Sequence, residues 1–222
     1  ADRKQRNADD MAGLVRITVP DLPDEHAVLR ELLTALQAYP KLVLDWRRDT
    51  VRLNVVQEQI DIGVRIDHLA DSRLIARKIG ETCEKIVMAP DLLRRLGKPE
   101  DFADLQKNYP LAAVLNHNNG RADTWYINEN LQFTPAKPHF VGSHIHNALQ
   151  AALAGNAVSQ QLDWMVAPYL LNGELVELFA EVPKIRWPVS IYRPQRVVTP
   201  MRVKVVFDLL AEILGKRFEL PV

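Results

Sequence analysis

Between Glu58 and Arg77 the chain runs from Ile62, Val64 and Ile66, alternating with Gly63 and Arg65, through the polar turn Asp67-His68 into Leu69-Ala-Asp-Ser-Arg-Leu-Ile-Ala-Arg77. A period of two marks a strand with one buried face, so this stretch reads as a buried strand, an exposed turn and a second strand. Its surroundings repeat the theme. Asp24 to Tyr39 carries Val28, Leu29, Leu32, Leu33 and Leu36 at helical spacing before Pro40, and Lys41 to Asp45 reads as the next strand. Val51 to Gln59 reads as a short helix feeding the strand around Val64, and Cys83 to Ala89 as a further strand. Such alternation predicts a mostly parallel sheet with helices on both faces.

After Pro90 the rhythm starts again. A short helix is expected over Asp91 to Leu96, a turn at Gly97-Lys-Pro99, a strand over Leu111 to Leu115 and a turn-rich loop over Asn116 to Asp123. Trp125-Tyr126, Pro138 to Val141 and Leu175 to Phe179 read as strands, and Ser143 to Ala154 as a helix. The last element is a helix over Thr199 to Leu214, whose Val203, Val206, Phe207, Leu210 and Ile213 mark one buried face.

Composition narrows what these two halves can do. In 222 residues, Lys+Arg 28 offsets Asp+Glu 28, so no net positive field draws the chain to a phosphate backbone. No apolar run reaches the roughly 18 residues that a membrane span needs. The single Cys83 sits in an apolar run and reads as a buried, inert thiol. Residues 1 to 12 are polar and charge-mixed, lack the apolar core of a signal peptide and read as a linker.

The motifs of the common nucleotide and metal sites are missing. There is no Gly-x-Gly-x-x-Gly, no P-loop and no His-Glu-x-x-His. His144 and His146 stand two apart, so a helix capped by Ser143 would point them about 200° apart and no shared metal is expected. Ser143 lies outside any nucleophile elbow. As a helix N-cap it would instead leave backbone N–H groups for a polar or anionic ligand. No cofactor, metal or catalytic residue is expected.

The segment "E.IDIGVRI...LADSRLIARKIG" resembles the effector-binding domain of LysR-type transcriptional regulators. Gly13 to Pro20 is similar to that family's opening strand, Gln37 to Leu44 to its helix-to-strand junction, and Val87 to Leu92 to its crossover. Gly142 to Gly155 and Gly173 to Leu178 resemble its second subdomain, and Tyr192-Arg-Pro-Gln195 the return, so the likeness runs from about Gly13 to Leu214. It implies an α/β fold made of two Rossmann-like α/β subdomains of the type 2 periplasmic-binding-protein fold, with two crossover segments. Residues 13–89 plus 194–222 would form subdomain I and 90–193 subdomain II. The chain then looks like an effector domain excised from its winged helix-turn-helix, with a small ligand expected in the cleft between subdomains.

The resemblance implies that Thr18, Pro20 and Asp21 form the principal effector loop and that Ser143 and His144 border the effector from the second subdomain. Arg65, His68, Asn116, His117 and Gln160 complete the expected lining. Arg65 has an alternative use in an ion pair with Asp67 or Asp71, and His68 in an exposed turn. The chain departs from the family at Asp21-Leu-Pro-Asp24, where Ser or Thr commonly follows the Pro. Asp21 or Asp24 could cap the helix, and a second anion there would meet like-charge repulsion. Ser159 and Gln160 also make their edge more polar than the family's Leu-Pro.

The implied protein is not an enzyme. It is a cytoplasmic bacterial sensor of a small-molecule effector, a homodimer here and a tetramer when intact, which reaches DNA only through its N-terminal domain. The dimer face is expected on Ala27, Leu32, Ala35 and Leu36 of the first helix and on Ala148, Ala151 and Ala152 of the later one. A transport-type solute-binding protein of the same architecture is the alternative function.

Overall fold

The computed structural model describes residues 9–48, 58–69 and 72–218. The expected helix from Val51 lies mostly outside them, as does Asp71. The chain divides into two compact units, 1–81 with 187–222, and 82–186.

The first unit is built on a five-stranded sheet of order β2-β1-β3-β12-β4. Its strands are β1 (Gly13–Val19), β2 (Leu42–Arg48), β3 (Ile62–Ile66), β4 (Leu74–Thr82) and β12 (Trp187–Pro194). β1 pairs in parallel with β2, Thr18 facing Arg47, and with β3, Thr18 facing Gly63. β12 runs antiparallel to β3, with Ser190 opposite Arg65. The sheet is therefore mixed rather than mostly parallel, because the returning chain enters between β3 and β4.

Alternation along β1 buries Val15, Ile17 and Val19, while helices α1 (Glu25–Ala35) and α6 (Met201–Gly215) bury Val28 and Leu32, and Val203, Val206, Leu210 and Leu214. α1 is shorter than the periodicity suggests. Beyond Ala35 the N–H groups of Leu36 and Gln37 reach back three residues to Leu33 and Thr34, a tightening that ends the helix before Pro40. Gly63 is required by packing: a Cβ there would lie 2.1 Å from Tyr192 Cζ on the neighbouring strand.

The second unit carries helices α2 (Pro90–Leu96), α3 (Phe102–Asn108), α4 (Ile145–Leu153) and α5 (Asp163–Leu171). Its largest sheet is three-stranded and antiparallel, β10 (Ser159–Leu162), β5 (Glu84–Met88) and β11 (Val176–Leu178). β6 (Ala112–Val114) pairs in parallel with β9 (Phe140–Gly142), and β7 (Trp125–Asn128) with β8 (Leu131–Phe133) as a hairpin. Ile86, Met88, Leu92, Leu105, Trp125, Val158 and Phe179 share one core cluster.

Pairing explains why the division differs from the boundaries at 89/90 and 193/194. Among the described residues, β5 pairs only with strands of the second unit and β12 only with strands of the first, so the chain changes units at 81/82 and 186/187.

Of the residues expected at a dimer face, Leu32, Leu36, Ala148, Ala151 and Ala152 are buried in the cores of their own units, which corrects that part of the expectation, whereas Ala27 is half-buried, Ala35 is exposed and Leu33 on the same helix is 48% exposed. No helix among the described residues is long and apolar enough to cross a membrane.

Candidate functional site

In the first unit the candidate residues gather at the carboxyl ends of parallel strands. Thr18 is the penultimate residue of β1 and is buried, and Pro20 and Asp21 lead into α1. Arg65 lies two residues beyond Gly63, the β3 partner of Thr18, so it emerges at the same sheet end. Carboxyl ends of parallel strands are where open α/β sheets place ligands, because the chain turns away there and leaves backbone groups exposed.

Asp21 is held by a cation that sequence reasoning did not single out. Arg48 Nη1 stands 3.3 Å from Asp21 Oδ1, and Arg48 Nη2 also contacts Glu25. Trp46 Nε1 donates to the other Glu25 oxygen at 3.3 Å. Arg48 is the last residue of β2 and Glu25 the first of α1, so such a clamp is legible only once strand order is known. Asp24 occupies the N-cap position of α1, but with φ 50° its side chain makes no capping bond. With Asp21, Asp24 and Glu25 against Arg48, this loop keeps a negative excess.

His68 is exposed, and its backbone N–H donates to Asp67 Oδ1 at 2.6 Å. Asp67 adopts φ 143° while donating its own N–H to the Pro188 carbonyl, so the turn after β3 is tied to the neighbouring strand β12. Nearby on β2, Asp45 accepts from Arg47 Nε at 3.0 Å and Arg16 Nε at 2.8 Å. These two guanidinium groups, Arg47 first, hold its carboxyl below the usual carboxylate range.

In the second unit, Asn116 and His117 follow β6, while Ser143 and His144 follow β9, its parallel partner. The Asn116 amide is committed to its own loop: it donates to Asp123 Oδ1 at 2.9 Å and accepts from Asn118 N–H at 2.9 Å. His117 is exposed.

The helix start is one residue later than expected. His144, not Ser143, is the N-cap of α4, its Nδ1 accepting from the His146 N–H at 3.3 Å. Because His144 is extended rather than helical, the expected 200° separation does not hold. The two imidazoles stack with centroids 5.0 Å apart and planes at 19°.

Gln160, on β10, donates to the Tyr126 carbonyl at 3.2 Å. Its neighbour Gln161 points the other way and is fully buried. Gln161 Nε2 donates to Ile145 O at 3.1 Å and to Ser159 Oγ at 2.8 Å, fastening β10 to the first turn of α4. Its Oε1 has no hydrogen-bond partner among the described residues. The signal was present in sequence: in a strand, Ser159 and Gln161 must share one face, and Gln160 the other.

Where β4 ends and before β5 begins, Thr82 Oγ1 and Cys83 Sγ both donate to the Asp163 carboxylate. Burial first, and then the charge of Asp163, push the Cys83 thiol up, so it stays protonated near neutral pH.

Comparison with known proteins agrees with this architecture. The LysR substrate binding domain family model matches residues 8–215. The transcriptional regulator CrgA of Neisseria meningitidis is 26% identical over 183 residues, covering 81% of this chain and 60% of that protein. The transcriptional activator TtdR of Escherichia coli is 22% identical over 191 residues, covering 84% and 60%. The chain thus spans about 60% of the length of these relatives.

Among solved structures, the regulatory domain of CrgA superposes with a TM-score of 0.72 at 21% identity, covering 92% of this chain and all of that one. The regulatory domain of AphB from Vibrio vulnificus gives 0.66 at 18%, covering 91% and 99%. The chain thus has the mixed α/β architecture of the periplasmic-binding-protein-like type 2 fold. Strand order, the two chain crossings and a family match over nearly the whole chain lead to one conclusion: the chain belongs to the LysR substrate binding domain family.

Proposed function

We propose that this chain is the effector-sensing and oligomerising part of a bacterial LysR-type transcriptional regulator. The observation that carries the reading is that, in a member of this family, the candidate residues of each unit, Gln160 on antiparallel β10 excepted, gather at the carboxyl ends of adjacent parallel strands. The relatives are transcriptional regulators, which favours this reading over a transport-type solute-binding protein.

A small-molecule effector is engaged by Thr18, Pro20, Asp21, Arg65 and His68 from one unit and by Asn116, His117, Ser143, His144 and Gln160 from the other. The backbone around Asn116, already ordered by its own amide, presents the loop, while His144 presents its imidazole at the start of α4. The chain performs no catalysis. In the intact cytoplasmic protein, a homodimer that assembles further to a tetramer, effector binding changes the spacing of the DNA-binding heads. That coupling requires different affinities for the two arrangements.

A thermal-shift screen against a metabolite panel, followed by a ligand-bound structure, tests this. The expected result is a compound that raises Tm and contacts residues of both sets. Turnover of a panel compound, or a ligand that touches neither set, would overturn the reading.

A further inference from the structure

The first unit contains a cavity of about 180 Å³, lined by Ile75, Ala76 and Arg77 of β4, Arg193 of β12, and Lys204, Phe207 and Asp208 of α6. None of the ten proposed effector residues lines it. Three cations stand there against one carboxylate. Arg77 Nη2 meets Asp208 Oδ1 at 3.1 Å, but both side chains are more than half exposed, so the pair is weak and easily exchanged. Arg193 Nη1 donates to the neutral Thr199 hydroxyl at 3.3 Å, and Lys204 has no carboxylate partner among the described residues.

Phe207 holds the two guanidinium groups in place. Their carbons lie 5.3 Å (Arg77) and 5.6 Å (Arg193) from the centre of its buried ring. A ring face attracts a cation without neutralising it and stiffens the side chain that lies on it. Two forks are thus pre-positioned beside one lysine, with a local excess of two positive charges, in a cavity below the roughly 300–1,000 Å³ of sites for larger organic ligands.

We infer that this cavity binds a dianionic phosphoryl group, either free phosphate or the phosphate of a small monoester. Its charge matches the excess, and its oxygens suit bidentate guanidinium donors. The Asp208 carboxylate is displaced from Arg77 as the oxyanion enters.

The probes are inorganic phosphate, glycerol phosphate and a short DNA duplex, titrated into the ¹⁵N-labelled chain, with sodium chloride at matched ionic strength as control. The expected result is saturable movement of the amide signals of Ile75 to Arg77 and Lys204 to Asp208, complete below about 10 mM. Response to phosphate alone, to glycerol phosphate alone, or to both supports the site and identifies the source of the group.

Lys204→Gln, at an exposed position, is expected to weaken binding about threefold, and Arg193→Gln about fivefold, the smaller end of a charge-assisted bond because the cavity is open to water. Glycerol phosphate binding should also strengthen from pH 5 to pH 7, as the second ionisation near pH 6 completes. The inference fails if chloride reproduces the shifts, if Lys204→Gln binds as tightly as the parent, or if only the DNA duplex binds.

Discussion

Gln161 Nε2 donates to the Ile145 carbonyl at 3.1 Å, so a fully buried amide on β10 fixes where helix α4, and with it His144, begins. Gln161→Glu replaces two donated bonds with a buried carboxylate facing a carbonyl oxygen. At pH 7.5 this should cost about 3 kcal/mol, the scale of an uncompensated buried charge. Burial raises the pKa of the introduced carboxyl above its unfolded value, so the charge penalty is absent below the unfolded pKa and grows as pH rises through the folded one. Urea unfolding of both proteins at pH 5 and pH 7.5 should therefore show a smaller gap at pH 5. Equal gaps would mean that the carboxyl reaches solvent.

Asp45 gives the opposite dependence. Its folded pKa is depressed by Arg47 and Arg16, so the stability it contributes is present above the unfolded value near pH 3.9 and is lost as pH falls through the folded value. Asp45→Asn should lower Tm at pH 7, with the difference from the parent closing progressively below about pH 4. A difference independent of pH would assign the effect to hydrogen-bond geometry rather than charge.

The Cys83 thiol is pushed up by burial and by Asp163. Maleimide labelling of the native chain at pH 7.5 should be slower than that of the denatured chain by about a hundredfold or more, because both access and thiolate fraction fall. Rapid native labelling would show that β5 opens locally.

The elements that were legible in the sequence are those whose burial is one-sided. β3 and β5 follow from alternation or from a compact apolar run, α6 from its single buried stripe, and β1 from its resemblance to the family's opening strand. Helix α5 was hidden because its apolar residues face every direction and Pro168 stands inside it. β10 was hidden because two of its four residues are glutamines, and β12 because Pro188 and Pro194 punctuate it. The antiparallel entry of β12 between β3 and β4 is a non-local choice that no local period records. The same limit applies to the site. The strand ends could be read, but Arg48 as the partner of Asp21 and Gln161 as the anchor of α4 depend on which strands become neighbours.

Asp21, one of the residues proposed to engage the effector, leads into α1, and Arg48 is shared between it and Glu25. Asp21→Ser should strengthen binding of acidic ligands by about 1 kcal/mol, the order expected for one partly solvated like-charge contact. Calorimetry with the same acidic ligand and both proteins measures it. Unchanged or weaker binding would show that Asp21 serves Arg48 rather than the effector.

The proposed homodimer can be tested at a residue that does not belong to the monomer core. Ala151→Glu would place a charge among Ala112, Ala148 and Ala157, so unfolding would obscure any effect on assembly. Leu33 is different. It lies on α1 beside the buried Leu32 yet is 48% exposed, and an isologous contact through α1 would cover it twice, once from each copy. Light scattering at micromolar concentration should give a species near twice the 25.2 kDa chain mass. Leu33→Glu should weaken the dimer by about 2 kcal/mol or more, since two charges are brought into one apolar contact, while leaving Tm in the dilute, monomeric regime nearly unchanged. A parent protein that remains at 25.2 kDa would refute the dimer. A dimer unaffected by Leu33→Glu would move the interface off this face of α1.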